Sequence, residues 1–555
     1  MGLETEMSKI EGSLQGHVNS AFVTTSGDEV TPAALEGREP VTTSPQTGKE
    51  AARAGGKTSG VRADHSKPEA KDADLKKNKG QGSSPPLRNQ VAYAALAAMT
   101  HAAIGTMLGL PGVILPQLTD PTSHDLFLNT SQVALFGSLI HVGAMAGSLV
   151  GGGLSVYLGQ RVTLLIVMPF CLVLWLGMAF TSTVWILQLM RALLGVVQGF
   201  IGTTAGNYLV EITHSSLRGC LIPFLDIWRQ FGILLVYAVG SFHLTWREVM
   251  LVCGCVSTVP TFIALLFLPN SPRWLVTRGR EQEAYKALVF LRGPQYNSKI
   301  ELQSVVDHFQ EEATKKKSAM EQLRQMGEPN ILYRLTFIII LTVFLQFTGN
   351  IPIVTYSIPI FQAANSSMNS YGCLVSIACL RVAGILVYML VAERLGRRVL
   401  VITSSLICTV SLLLLGVYFF LQSSGTDVSA ITWLPLFSLL VYMPFVVILE
   451  SIISIMRSEV FSNSIRAMAV SLMSVVFFLT MFLSTQLFPI MTETMMEQGV
   501  FWTYALSCLL MALTTAVLLP ETRGLTLEEV DHVFKYGKKV VLPIPCVYDK
   551  VRISE

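Results

Sequence analysis

Four charged side chains stand inside stretches that are otherwise apolar: Asp226, Arg229, Arg381 and Glu450. A charge at the centre of a hydrocarbon layer costs roughly 2.5–3.5 kcal/mol, so such a residue faces a cavity or a partner. Two pairings are open to Asp226. Arg229 lies three residues on, within reach along one helix face. Arg381 lies in a distant apolar stretch, and a bond to it would tie two parts of the chain together. Glu450 is a carboxylate placed to titrate and to couple proton movement, while His101 and His141 read as packing or cavity-polar groups. The chemistry in view is charge pairing and ligand recognition, not covalent catalysis. There is no G-x-x-x-x-G-K-[ST] phosphate loop, so ATP does not drive the protein directly. The nine cysteines are scattered without a C-x-x-C pair or metal-ligand spacing, so no metal or other cofactor is expected.

The elements that must position these charges are membrane spans. The 555 residues are 51% hydrophobic and 14% charged, with a mean hydropathy of +0.53, against about 25% charged in a soluble domain. The net charge of +3 is too small to imply nucleic acid. A membrane helix needs about 20 apolar residues, and twelve candidates begin near residues 90, 132, 162, 184, 219, 248, 333, 371, 399, 433, 467 and 500. They divide into six-span halves over 87–269 and 333–521, separated by a loop, 270–332, expected to form short helices on the membrane surface. Residues 1–86 are too poor in apolar side chains to form a core and are expected to be a disordered tail; a second tail follows at 522–555. Basic residues crowd the 270–332 loop and the short loops on the same side, whereas the other side offers Arg247 beside Asp120, Asp125, Asp427, Glu493 and Glu497. The bias puts both tails in the cytoplasm. The sequons at Asn129 and Asn365 then fall outside, as glycosylation requires. Glycines four apart at Gly143, Gly147 and Gly151, at Gly195 and Gly199, and at Gly202 and Gly206 predict close helix packing.

Related segments recur in the two halves. Pro269-Asn270-Ser271-Pro272-Arg273 and Pro520-Glu521-Thr522-Arg523-Gly524 each follow a sixth span. Ala392-Glu393-Arg394-Leu395-Gly396-Arg397-Arg398 lies after span eight. Its first-half counterpart, Gly151 to Arg161, keeps the glycines and one Arg but has Val156 and Tyr157 where an acidic residue and Arg belong. With Arg191 to Gly199, Tyr208 to Ile212, Leu217-Arg218-Gly219, and Glu459 seven residues before Arg466, these segments resemble the sugar-porter branch of the major facilitator superfamily. The facilitative glucose and trehalose transporters of animals are the nearest group. The resemblance covers about residues 90–535. It implies an all-α membrane protein with a twelve-transmembrane-helix major facilitator fold that works by alternating access. It also implies gate roles for Arg161, Arg191, Glu211, Arg218, Glu393, Arg394, Arg397, Arg398, Glu459 and Arg466, with the first-half gate weaker or supported by other contacts.

The resemblance further implies a cavity lined by amides and a Trp, and here the chain departs from its relatives. Counting from Arg218-Gly219 places Asp226 at the amide position of span five. Gln346 survives on span seven, and Asn350 is displaced by one residue, about 100° of helix rotation. Arg381 replaces an Asn on span eight and Ser454 replaces the Trp on span ten. Substrate contacts are therefore expected from Asp226, Gln346, Asn350, Arg381 and Ser454. The span-one acid of proton-coupled relatives is absent, with Gly109-Leu110-Pro111-Gly112 in that region, which favours facilitated movement. The first functional expectation is transport of a hexose or trehalose-like sugar at the plasma membrane. A charged organic solute recognised through Arg381, Asp226 or Glu450, and a non-transporting nutrient sensor, are the other two. The expected partners are a small-molecule substrate and the lipid bilayer; the sequence sets no oligomeric state.

Overall fold

The computed structural model describes residues 87–121, 125–242, 244–314, 319–364, 370–461 and 465–519. The two tails, the Pro520 to Gly524 segment, Asn365 and the side chains of Glu393 and Glu459 lie outside the described residues. Eleven helices are long and apolar enough to cross a membrane. The last, Arg466–Leu518, has 53 residues, about twice what a bilayer needs, and is two spans joined at Met496, whose φ of 58° breaks the helix. The count is therefore twelve, beginning where the apolar runs begin. Spans one to six are Leu87–Leu118, Thr130–Leu158, Gln160–Phe180, Val184–Ile212, Phe224–Gly240 and Trp246–Phe267. Span seven starts as Pro329–Gln346; spans eight to ten are Ser370–Leu395, Arg397–Ser423 and Leu434–Glu459. Large apolar side chains such as Trp185, Phe267 and Val517 stand exposed on the outer surface, as lipid contact requires.

The glycine spacing builds a close helix contact. A Cβ on Gly195 would lie 2.1 Å from the Ile140 carbonyl, and one on Gly143 would lie 2.0 Å from that of Ala192. Only hydrogen fits there, so spans two and four meet backbone to backbone. Gly202 and Gly206 do not share this role: nothing lies within 4 Å of either added Cβ. The packing expected of that second pair is not seen among the described residues, where no atom approaches either position.

Duplication is visible in the turns. Span two passes to span three at Gly159 (φ 89°), and span eight to span nine at Gly396 (φ 79°). Two residues after each glycine an arginine reaches carbonyls at the end of the sixth span of its half. Arg161 Nε and Nη2 donate to Leu265 and Leu266 oxygens at 3.0 and 2.9 Å, and Arg398 Nη2 donates to Ala516 oxygen at 2.6 Å. The last carbonyls of a helix have no partner of their own, and these arginines supply one. Val156 and Tyr157 are compensated by the surface helix Pro272–Thr277. Trp274 Nε1 donates to Val156 oxygen at 3.0 Å, and Arg278 Nη2 to Tyr157 oxygen at 2.6 Å.

Further surface helices follow at Glu281–Arg292, Ser298–Thr314 and Ala319–Met326. Arg292 fastens them to the bundle. It donates to Glu301 at 2.8 Å, Gln90 Oε1 at 3.0 Å and Ile212 oxygen at 2.7 Å, so the ends of spans one and four are held to one guanidinium. These helices mark the basic face of the bundle.

On the opposite face Asp125 accepts from Arg247 Nη2 at 2.8 Å and Nε at 3.0 Å, and from Trp246 Nε1 at 3.1 Å. Its hydrogen bonds from Arg247 hold the carboxyl below the usual carboxylate value. A depressed pKa gives stability that is complete above the unfolded value and is lost as pH falls through the folded one. Asp125→Asn should therefore lower the melting temperature slightly at pH 7, as an exposed pair is worth under about 1 kcal/mol. The difference should shrink as pH falls through the lowered carboxyl value of the folded state; thermal unfolding of the two proteins in detergent over a falling pH series checks it.

Candidate functional site

At mid-membrane the buried charges form one chain of contacts across the two halves. Arg229 on span five donates through Nη2 to Asp226 Oδ1 at 3.0 Å and through Nη1 to Glu450 Oε1 on span ten at 2.9 Å. The other oxygen of Glu450 accepts from Asn350 Nδ2 at 3.0 Å. Asn350 Oδ1 accepts from Arg381 Nη1 on span eight at 2.8 Å, and Arg381 Nε returns to span five through Gln230 Oε1 at 2.9 Å. Arg381 Nη1 also approaches Met443 Sδ at 3.3 Å. Ser451 Oγ closes the near end on Asp226 Oδ2 at 3.3 Å. Removing one partner of a buried ion pair leaves the other charged and unsolvated, so the members of this chain stabilise one another.

A break in span seven delivers Asn350 to the centre. The helix stops at Gln346 and resumes as Asn350–Thr355 and Ser357–Ala363. Between them Gly349 has a φ of 88°, with the Tyr504 ring where a Cβ would stand, 2.3 Å away. The break resets the helical phase. The rotation expected of a one-residue displacement is thereby cancelled, and Asn350 faces the same centre as Arg381 and Glu450.

Of the two pairings open to Asp226 the structure shows one, and it leaves other expected residues apart from the centre. Asp226 pairs with Arg229, not with Arg381; the bonds between halves are Arg229–Glu450 and Arg381–Gln230. Gln230, which sequence counting missed, is the central amide of span five. Asp226, at the position counted from Arg218-Gly219, lies one turn before Gln230 on the same helix, Phe224–Gly240. Gln230 stands two residues before Gly232, whose added Cβ would meet the Ala102 carbonyl of span one at 2.2 Å. Gln346 is buried, and its carbonyl accepts from Ser484 Oγ at 2.8 Å. Ser454 is exposed a turn nearer the basic face, accepting from Arg457 at 3.1 Å.

The residues expected at the gates lie in two places. Glu211 accepts from Gln160 Nε2 at 3.0 Å and from Ser271 Oγ, while Arg218 donates to Val210 oxygen at 3.1 Å. Arg466 donates to Phe461 oxygen at 3.2 and 3.1 Å. Arg394 is exposed and Arg397 half-buried. All of these are on the basic side, and the bonds of Glu211, Arg218 and Arg466, like those of Arg161 and Arg398, stay within one half. Arg191 is near the other end of span four, buried against Phe136 with its guanidinium 4.9 Å from the ring centre. The halves also meet toward that opposite face. Tyr237 donates its hydroxyl to Val354 oxygen at 3.0 Å, Ser138 Oγ donates to Gln486 Oε1 at 2.6 Å, and a Cβ on Gly112 would strike Val354 oxygen at 2.6 Å. Exposure returns toward the basic side, where the Asp226 side chain is 29% accessible.

Comparison with known proteins agrees with this architecture. The family model described as sugar (and other) transporter matches residues 70–534. The facilitated trehalose transporter Tret1 of Polypedilum vanderplanki is 28% identical over 445 residues, spanning 80% of this chain and 87% of that one. Its namesake in Bombyx mori is 30% identical over 419 residues, spanning 75% and 82%. The inward-open structure of the xylose transporter XylE from E. coli matches with a TM-score of 0.63 at 21% identity, over 80% of this chain and 98% of that one. That likeness shows the major facilitator fold.

The Arg229–Glu450 contact makes a direct prediction. Glu450→Gln and Arg229→Gln should each destabilise the protein by ~3 kcal/mol, as expected for opening a buried pair. The double variant should lose less than the sum by at least about 1 kcal/mol. Denaturation of the four proteins in one detergent measures this, and additive losses would remove the coupling.

Proposed function

Because the chain belongs to the sugar (and other) transporter family, we propose that it carries a hexose or trehalose-like sugar down its gradient by alternating access. The observation that carries this reading is the layer of hydrogen bonds joining spans five, seven, eight and ten at mid-membrane. A site made by both halves is remade each time the halves rock about it. Relatives named as facilitated trehalose transporters support the sugar. The acid-free Gly109 to Gly112 segment supports movement without a coupled proton. The moving bodies in this reading are 87–269 and 333–521, with 270–332 on the cytoplasmic side.

Cells expressing the full chain should take up labelled glucose or trehalose saturably, without accumulation above the outside concentration and without loss on adding a protonophore. Failure of both sugars to enter, with the chain shown at the cell surface, overturns the sugar reading.

In the proposed orientation the basic face and both tails are cytoplasmic, in the plasma membrane. Asn129 is exposed on the other side, where its Oδ1 caps span two by accepting from Gln132 N at 2.9 Å, leaving Nδ2 to carry a glycan. Glycosidase treatment should lower the apparent mass, and Asn129→Gln should remove part of that shift. A chain of unchanged mobility in both tests would argue against this orientation.

A further inference from the structure

Resting on the transport reading, we infer that the solute bears a single carboxylate, which Arg381 and Gln230 bind at the centre of the membrane. Arg381 is fully buried, and no carboxylate lies within ion-pair distance of it among the described residues. Its neighbours are the amides of Gln230 and Asn350 and the sulfur of Met443. The other charges are already met. Glu450 has a donor on each oxygen, from Arg229 and Asn350, and Asp226 is bonded to Arg229 while its side chain remains partly open. The layer is balanced in number, but both carboxylates bond Arg229, so Arg381 is contacted directly only by dipoles, in a setting where a charge without a direct partner is costly.

Two donors are also left over at the same spot. Arg381 Nη2 and Gln230 Nε2 are buried without an acceptor, although the two side chains are bonded to each other through Nε and Oε1. Neighbouring N–H groups from a planar guanidinium and an amide suit the two oxygens of a carboxylate. Arg381 carries the one guanidinium charge of this layer that no carboxylate contacts directly, which suits a single carboxylate better than a doubly charged phosphate. Gln230 belongs to the first half and Arg381 to the second, so a carboxylate held by both would bridge the bodies that move. The sugar part of the solute is taken from the transport reading. The class so described is a sugar acid.

The test is uptake of radiolabelled D-glucuronate and D-glucose into proteoliposomes containing the full chain, at fixed pH and with an imposed membrane potential. D-Glucuronate should enter saturably, and faster when the interior is positive, because each turnover carries one negative charge. Arg381→Asn should cut that flux roughly 10- to 100-fold, the loss expected for a hydrogen bond to a charged group, and should raise D-glucose uptake. Gln230→Leu, which removes the second donor and keeps the guanidinium, should weaken D-glucuronate uptake less. D-Glucose entry in the parent with no entry of or inhibition by D-glucuronate overturns the carboxylate inference and leaves sugar transport standing. A rise in D-glucose uptake by Arg381→Asn, when D-glucuronate affects neither protein, would mean that the guanidinium fills the sugar's place. That result also overturns the inference. If the parent moves neither solute, the transport reading fails and the inference with it.

Discussion

Two guanidinium groups buried at mid-membrane set the terms for the rest of the bundle. Neither can be left in hydrocarbon without a partner, and the two solutions differ. Arg229 takes carboxylates from its own helix and from span ten. Arg381 takes amide oxygens from spans five and seven. Each guanidinium therefore contacts both halves of the molecule. Partners drawn from separate helices fix the distances between those helices more firmly than apolar packing in lipid does, because packing there has no hydrophobic driving force behind it.

The layer also explains the broken backbone of span seven. An uninterrupted helix would carry Asn350 past the centre. Breaking it at Gly349 frees backbone groups, a cost tolerated at membrane depth where the segment is buried in protein. The hydroxyl of Tyr442 meets one of them, donating to Thr348 oxygen at 2.9 Å. The bend thus belongs to the site, and Asn350 becomes the link between the two charged groups of the second half.

At the basic face the logic is different. There the arginines serve helix ends, each within its own half, and the surface helices lock onto spans one and four through Arg292. Each half gains a stiff end on that side. Rigid halves can pivot against one another only where their mutual contacts are few and exchangeable. The ionic layer and the contacts near Tyr237 and Ser138 are of that exchangeable, polar kind. The seam thus carries the Arg229–Glu450 ion pair and hydrogen bonds, while the helix-end bonds of Arg161 and Arg398 lie inside the halves.

The spans, the repeated glycine turns and the basic face were legible because each depends on local composition: apolar length, a residue tolerant of positive φ, and a charge count. Burial of Arg229, Arg381 and Glu450, and partial burial of Asp226, followed from their placement within apolar runs. Their pairing did not, since Arg229 and Arg381 offer Asp226 the same charge, and only the helix positions decide that the near one takes it. Asn350 was legible as a polar residue within span seven, whereas Gln230 was not singled out; the turn at Gly349 and the meeting of spans five, seven and eight bring the two to Arg381. Gly202 and Gly206 carry the packing spacing and yet meet no neighbour among the described residues, because spacing specifies a face and the neighbour on it comes from the assembled bundle. Composition and periodicity determined what each segment is; tertiary structure decided which side chains meet, because contacts between helices depend on breaks and rotations that no single helix's sequence contains.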